Sequence, residues 1–503
     1  MNQNSAPTSA TIRTGSNRDV VGGAGRDWVV LIGLICASIA IRLHGLSAAN
    51  LWLDEANSWQ VASGSWSHML GELRGSPVGP LYFILLKIWI SALGESAFAL
   101  RAFSVSASVV LIVAVYEAGK SLLSRQAALL AAALMALSPL ELYFAQEARM
   151  YMLTSLVAFL CLWAYARWQS EAIRSLDAPR WNMTALVTYV AAALALLLTH
   201  PVAGTLLVAL NLDALVVWWR TRATRSALPG RGRVIISWIA AHVVIAALLL
   251  GYLAFLRLGT AASSQAWRSP LGLEVAIRNA LLLPFNAISG QRFYASDFWT
   301  ALSEVTHGRG GFGRFFLLLI VQPLTLFVFV LALDAGVRAR INTPAEARSH
   351  VSLFSGRRLL ALAVVVPLLF DVVISTTRGL ETARYFLFVV PFLLLLLADG
   401  LTALPHRLRI ASLMVLVAAM FFGTRATKQA VSRDSDYRST AALLDQERKP
   451  GDRIMLQPRE MNAPLRFYLH SRTDSIIGLA ANASAGRELS KLEPGRTWVV
   501  IDY

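Results

Sequence analysis

The stretch Leu51-Trp52-Leu53-Asp54-Glu55-Ala56-Asn57-Ser58-Trp59 decides how this chain reads. It sits in the first loop after the first long apolar segment, Trp28 to Ile41. Two adjacent carboxylates, fenced by tryptophans, therefore stand just beyond a membrane span. Carboxylates are costly near lipid and mark a function more often there than on a soluble surface. If the flanking segments span, the chain is a helical polytopic protein with an acidic site at one membrane face.

The composition supports that premise. The chain has 503 residues, 56% hydrophobic and 15% charged, with a mean hydropathy of +0.55. Soluble domains average about 45–50% apolar and about 25% charged residues. The net charge of +16 does not point to nucleic acid, because the arginines cluster in short loops between apolar runs. That is the positive-inside pattern of membrane proteins. Cys36 and Cys161 both fall within expected spans, so neither belongs to a disulfide framework or a metal cluster. Residues 1–26 read as a disordered cytoplasmic tail, 27–424 as the transmembrane domain and 425–503 as an extracytoplasmic domain. The run Trp28 to Ile41 has no small-residue cleavage site after it and reads as an anchor.

A spanning helix needs roughly 20 predominantly apolar residues. Candidate segments lie near 28–43, 79–94, 101–119, 126–143, 150–168, 182–199, 201–219, 234–256, 313–333, 359–375, 385–401 and 408–424. Arginine-bearing loops at 167–180, 220–233, 338–358 and 407–409 belong inside. The loops at 44–78, 144–149, 257–312 and 376–384, the His200-Pro201 hairpin and the tail then face outward. Twelve spans would return 257–312 to the inside, so one segment does not cross. The choice is 79–94, which is short and contains Lys87, and eleven spans remain. The alternative is twelve spans with the early loops assigned to the wrong sides. In the tail, Arg453-Ile454-Met455-Leu456 and Thr497-Trp498-Val499-Val500-Ile501 read as strands, and Asp436–Glu447 and Ala463–His470 as helices. A domain this small is marginal alone and should pack on the membrane part. The expected fold is an all-α polytopic membrane protein of about 11–12 spans with a small C-terminal α/β domain.

Five outward positions could carry chemistry. Asp54 and Glu55 could act as a general base for a hydroxyl or hold a divalent metal. They could equally be a solvated pair or acids at a helix start. In Gln146-Glu147-Ala148-Arg149-Met150-Tyr151, Glu147, Arg149 and Tyr151 enter the next span together, after Pro139 has ended or kinked the preceding helix. Arg149 there could grip a phosphate through paired hydrogen bonds, or pair with Glu147 and snorkel to the interface. His200 could bind phosphate or metal, or be structural. Arg384, with Tyr385, is a second phosphate candidate or an interface anchor. The loop 257–312, with Arg292, is long enough for a lid or binding loop, or a plain connector. Its Gly308-Arg309-Gly310-Gly311-Phe312-Gly313 run lacks the lysine and the preceding strand of a P-loop.

These motifs together resemble the polytopic glycosyltransferases of the GT-C class that use polyprenyl-phosphate sugars. The nearest branch looks like the bacterial relatives of protein O-mannosyltransferases and the lipid A aminoarabinose transferases. The likeness rests on Asp54-Glu55, Ser138-Pro139 with Gln146 to Tyr151, Thr199-His200 and Arg384-Tyr385 before a span containing Pro391. Where the family often has a histidine and paired prolines, this chain reads Gly75-Ser76-Pro77-Val78-Gly79-Pro80. The resemblance implies a sugar transferred from a polyprenyl-phosphate donor to an acceptor hydroxyl, on a lipid, glycan or protein, with inversion. It implies the outer face of a bacterial inner membrane, with Asp54 or Glu55 as base and the cationic residues on the donor's phosphate. Membrane lipids are the other expected partner. Members of the class differ in using a metal. The rivals are a lipid-linked sugar transporter and a non-catalytic assembly scaffold.

Overall fold

The computed structural model describes residues 17–74, 78–174, 183–224, 231–257, 269–290, 322–341, 355–379, 382–430, 436–449, 451–457, 461–470, 476–479 and 496–501. The helices in chain order are α1 (Asn17–Leu43), α2 (Leu53–Ser63), α3 (Trp66–Leu73), α4 (Pro80–Leu93), α5 (Ala97–Leu122), α6 (Arg125–Leu137), α7 (Pro139–Ala145), α8 (Tyr151–Arg174), α9 (Met183–Thr199) and α10 (Thr205–Thr224). They continue as α11 (Arg231–Arg257), α12 (Leu273–Ser289), α13 (Gln322–Ile341), α14 (Gly356–Arg378), α15 (Thr382–Tyr385), α16 (Val390–Ala403), α17 (His406–Ala430), α18 (Tyr437–Glu447) and α19 (Asn462–Tyr468). Helices stand at every expected span. Among the described residues, α5, α8, α10, α11, α14 and α17 are the six long and apolar enough to cross a membrane unaided. The pair α6–α7, bent by 58°, is a seventh if it counts as one broken span. Pro139 opens α7 and cannot continue the hydrogen-bond ladder of α6, so the helix breaks there. The Ser138 side chain caps α7 by accepting from the Glu141 N–H, and its hydroxyl donates to the Ala287 carbonyl of α12.

α4 does not cross. Its 14 residues rise about 21 Å, short of the roughly 30 Å hydrocarbon core. Both its ends pack beside segments expected on the outer side. Gly79, just before it, packs so tightly on the Leu198 carbonyl at the end of α9 that a Cβ would fall 1.9 Å from the oxygen. Beyond its other end, Glu95 accepts from the Trp59 indole of α2. Lys87 satisfies its charge against the Ala62 and Gly64 carbonyls at the end of α2.

Two polar layers hold the bundle. At the end expected to face inward, Asp27 of α1 receives Arg125 of α6 and the Tyr116 hydroxyl of α5. Deeper in, Asp213 of α10 accepts from Tyr165 and Gln169 of α8 and from Arg358 of α14. This network occupies both carboxylate oxygens, so the buried charge is compensated by its own partners. Elsewhere the packing is apolar, with Phe159 of α8 stacked on Phe392 of α16 at 5.9 Å. Gly400 brings α16 against α13, where a Cβ would meet the Ala332 carbonyl at 2.1 Å. Close approach at small residues is the usual way helices associate without a hydrophobic drive between them. Val243, Leu248 and Leu250 of α11 remain exposed, which suits lipid.

The segment expected as an open outer loop contains α12, whose Leu283 and Ala287 are buried. Apolar residues at helical spacing around Pro284 form it, and the rest of 257–312 lies outside the described residues apart from 257, 269–272 and 290. In the tail, β1 (Arg453–Gln457) is central, with β2 (Ile476–Gly478) and β3 (Thr497–Ile501) parallel on either side. Met455 pairs with Ile477 and Val499. The short strand β2 was not expected from the sequence. α18 and α19 cover the sheet through Leu444 and Leu465. The tail docks on the first outer loop. Asn50 donates to Asp436, the Leu51 N–H donates to the Tyr468 hydroxyl, and Trp59 meets Phe467 edge to face at 5.2 Å.

The orientation is checkable with single cysteines in a Cys36→Ser, Cys161→Ser background. A cysteine replacing the exposed Ser67 should react with an impermeant thiol reagent in intact cells, and one replacing the exposed Arg407 should not. The opposite pattern would reverse the assignment of sides.

Candidate active site

The acidic pair opens α2. Asp54 and Glu55 occupy its first turn, where negative charge suits the unpaired N–H groups and the helix dipole. Consecutive helical residues point about 100° apart, so the pair cannot act as one. Glu55 turns into the protein and is completely buried. Both its oxygens are bound by Arg101 of α5, each at 2.8 Å. One also accepts from the Ala148 N–H at 2.9 Å and the other from the Trp52 N–H at 3.3 Å. Asp54 turns the other way, and its side chain stays 31% exposed.

Two guanidiniums converge on Asp54. Arg384 reaches it at 3.6 Å and Arg149 at 4.0 Å. Arg149 is also tied to α2 through the Asp54 carbonyl at 3.0 Å and the Ser58 hydroxyl at 2.9 Å. The loop carrying it is fixed by the Ala148–Glu55 bond, so the buried acid sets the distance between Arg149 and Asp54. Burial opposes the charge on Arg149, but Tyr151, Asp54 and Tyr82 hold its pKa above the ordinary value, and it stays cationic. Arg384 ends the short helix α15. That helix is anchored at Thr382, whose hydroxyl donates to the buried Asp371 of α14 at 2.7 Å.

Aromatic rings wall the site. Arg384 lies 4.9 Å over Trp52, and both arginines lie 5.9 Å from the Tyr151 ring. Tyr151 meets Tyr385 edge to face at 6.4 Å, and His200 sits 5.4 Å from Tyr385. His200 is 5% exposed, and its Nδ1 has no hydrogen-bond partner among the described residues. Burial, then Arg149, pushes its pKa down to about 4, so the ring is neutral at pH 7 and can meet a ligand only as a hydrogen-bonding group. Glu147 is buried and 1% exposed, while its carbonyl accepts from the Arg149 N–H at 2.8 Å. The structure thus brings Asp54, Arg149, Tyr151, His200, Arg384 and Tyr385 to one place. Arg292 lies outside the described residues.

Sequence reasoning missed Tyr82, Ser58 and Arg101. Tyr82 is fully buried and faces Ser58 and Arg149. A tyrosine in the first turn of an apolar interface helix was its only signal. Arg101 carried a stronger one, a lone arginine near the start of a helix whose other charges, Glu117 and Lys120, stand at its far end. A metal does not fit these residues. Among the described residues no three His, Cys, Asp or Glu side chains group to hold an ion. Asp54 faces two guanidiniums, and Glu55 is committed to Arg101.

No protein-family model and no curated protein sequence matches the chain. Solved structures do. ArnT from Cupriavidus metallidurans in the apo state matches with a TM-score of 0.55 and 14% identity, over 91% of this chain and 87% of that one. The same protein bound to undecaprenyl phosphate gives 0.52 and 15%, over 90% and 86%. The Archaeoglobus fulgidus oligosaccharyltransferase, in complex with Zn and sulfate, gives 0.52 and 11%, over 89% of this chain but 62% of that one. At such identities the likeness speaks for architecture alone. With the helix order, the broken α6–α7 span and the helical first outer loop, it establishes that this polytopic membrane chain has a GT-C-like fold.

Proposed function

We propose that the chain is a glycosyltransferase that moves a sugar from a polyprenyl-phosphate donor to an acceptor hydroxyl at the outer face of the inner membrane. The observation that carries this reading is Asp54, partly exposed between two arginines at 3.6 and 4.0 Å and flanked by the rings of Trp52 and Tyr151. The fold neighbour bound to undecaprenyl phosphate supports a lipid phosphate as the ligand of those arginines. The acceptor is a lipid, glycan or protein hydroxyl.

In this mechanism the donor phosphate takes Arg149 and Arg384, which meet phosphate by charge-assisted bonds. It thereby competes with Asp54 for both cations and leaves the carboxylate to the acceptor. The acceptor oxygen attacks the anomeric carbon as its proton passes to Asp54. The bond from that carbon to the phosphate oxygen breaks, and its electron pair stays on the phosphate. Arg149 and Arg384 stabilise the charge that develops there. A single displacement inverts the anomeric centre. Glu55, buried under Arg101, acts by holding Trp52, Asp54 and the Arg149 loop in register. Tyr151, Tyr385 and neutral His200 line the space for the sugar. The test is sugar release by the purified protein across a panel of polyprenyl-phosphate sugars, with the acceptor identified by mass spectrometry. Transport of intact lipid-linked sugar without release would favour a transporter.

Arg149→Ala removes the more buried of the two phosphate ligands. Loss of a charge-assisted contact costs about 1.5–3 kcal/mol, roughly ten- to a hundredfold in affinity. Donor titration should show that loss. Wild-type donor affinity in the folded variant would make Arg149 an interface anchor.

A further inference from the structure

The joint between α6 and α7 leaves carbonyls that its own helices cannot satisfy. The last four carbonyls of a helix have no intrahelical partner. In α6 these belong to Leu134, Met135, Ala136 and Leu137. The Met135 carbonyl would have met the N–H four residues on, but that residue is Pro139, which has none. Met135 and Ala136 are both buried, so an unpaired carbonyl there is costly.

Arg42 of α1 supplies the missing donors. Its guanidinium donates to the Ala136 carbonyl at 2.9 Å and to the Met135 carbonyl at 3.3 Å. It also donates to Ser108 of α5 at 3.0 Å and to Ser38 of its own helix. The side chain is completely buried, and its rigid fork ties three helices together at the bend. Its charge acts on Glu141 of α7, which is also completely buried. The carboxylate oxygens of Glu141 have no hydrogen-bond partner among the described residues. Glu141 therefore balances the guanidinium without drawing its donors away from the carbonyls. The Arg42 backbone takes part as well, because its carbonyl accepts from Gln146 Nε2 at 2.8 Å. Gln146 stands at the end of α7 and opens the run that leads to Arg149. The far end of that run is held by the Ala148–Glu55 bond and by the Ser104 hydroxyl, which donates to the Arg149 carbonyl at 3.3 Å.

We infer that Arg42 is a positioning residue for the phosphate site: it fixes the bend between α6 and α7 and so delivers Arg149 to Asp54. None of its own bonds reaches Asp54, Arg149 or Arg384. The lever is short and stiff. α7 has seven residues, about 10 Å at 1.5 Å per residue, so a turn of about 10° at the joint moves its far end by about 2 Å. That displacement is enough to break the bond of 2.9 Å from Arg149 to Ser58. A phosphate ligand displaced that far no longer meets its oxygen. The inference rests on the reading of Arg149 as a ligand of the donor's phosphate.

The test is equilibrium binding of undecaprenyl phosphate to the purified full chain, with the melting temperature of each variant measured beside it. Arg42→Lys keeps the charge opposite Glu141, but a compact ammonium with three donors cannot reproduce a fork that makes four bonds. It should lose roughly tenfold or more in affinity, approaching Arg149→Ala. The double variant Arg42→Lys, Arg149→Ala should bind no more weakly than Arg149→Ala alone, because Arg42 acts through Arg149. Should Arg42→Lys not fold, the pair variant Arg42→Met, Glu141→Gln leaves no buried ion uncompensated and carries the same expectation. Wild-type affinity in the Arg42 variant, beside a weakened Arg149→Ala, would overturn the inference alone. Losses that add in the double variant would make Arg42 a general support of the fold and overturn it too. Wild-type affinity in Arg149→Ala would overturn the phosphate reading and the inference with it.

Discussion

Asp54→Asn should abolish sugar transfer while the protein stays folded and still takes up donor. The amide keeps the size of the acid. The strongest bond from Arg149 to this residue goes to the Asp54 backbone carbonyl, which the substitution leaves in place. What disappears is the ability to take a proton, and general-base catalysis contributes typically about 10²–10⁴-fold. Glu55 cannot substitute, because it is fully buried and bound by Arg101 through both oxygens. The donor side should move the other way. With no carboxylate 3.6 Å from Arg384 and 4.0 Å from Arg149, both cations are left to the phosphate, so donor affinity should hold or rise. The measurement is turnover beside equilibrium binding of the donor. Near-normal turnover would remove the base from Asp54, and a parallel loss of donor binding would make its carboxylate a binding group instead.

Much of the architecture was legible because lipid imposes simple rules. Apolar length placed the helices, of which six among the described residues are long and apolar enough to cross, and Pro80–Leu93 is one of three shorter apolar helices. Pro139 announced the break that the structure shows as a 58° bend. In the tail, short apolar runs gave β1 and β3, but β2 is only three residues long and too short to show a period. The helix inside the expected outer loop was hidden by Pro284, which sits within α12 where proline usually argues for a break. At the site, charge at an expected membrane boundary singled out Asp54, Arg149 and Arg384, and the fold brings both arginines within 4.0 Å of Asp54. The division of labour between Asp54 and Glu55 was not readable from adjacency. It follows from the helical phase of α2 and from Arg101, whose partner 46 positions away is visible only once the chain is folded. The polar bonds around Asp213 were likewise invisible, because Tyr165, Gln169 and Arg358 meet it from separate helices.

Arg101 is where that folded arrangement is most exposed to attack. Its guanidinium pairs with Glu55 and donates to the carbonyls of Leu46, Ala49 and Asn50 at 2.7, 2.9 and 2.9 Å. One side chain thus closes the turn between α1 and α2 and neutralises the acid beneath Asp54. Side-chain exposure is 2% for Arg101 and 0% for Glu55, so neither charge can turn to water if its partner is lost. Breaking such a buried pair from one side costs about 3–5 kcal/mol, because the remaining ion is left uncompensated. Arg101→Met should therefore lower the melting temperature sharply and expose the turn at 44–50 to proteases. Glu55→Gln should do so less, since the amide still accepts one hydrogen bond. The double variant Glu55→Gln, Arg101→Met should be more stable than the sum of the two losses, as expected for residues that act on each other. The same series separates positioning from chemistry. If Glu55 only holds the loop, its variant loses stability, donor binding and turnover together, because Arg149 shifts when Ala148 is released. A Glu55→Gln protein that melts like the wild type, binds donor normally and has lost turnover would return Glu55 to the reaction and take the base from Asp54.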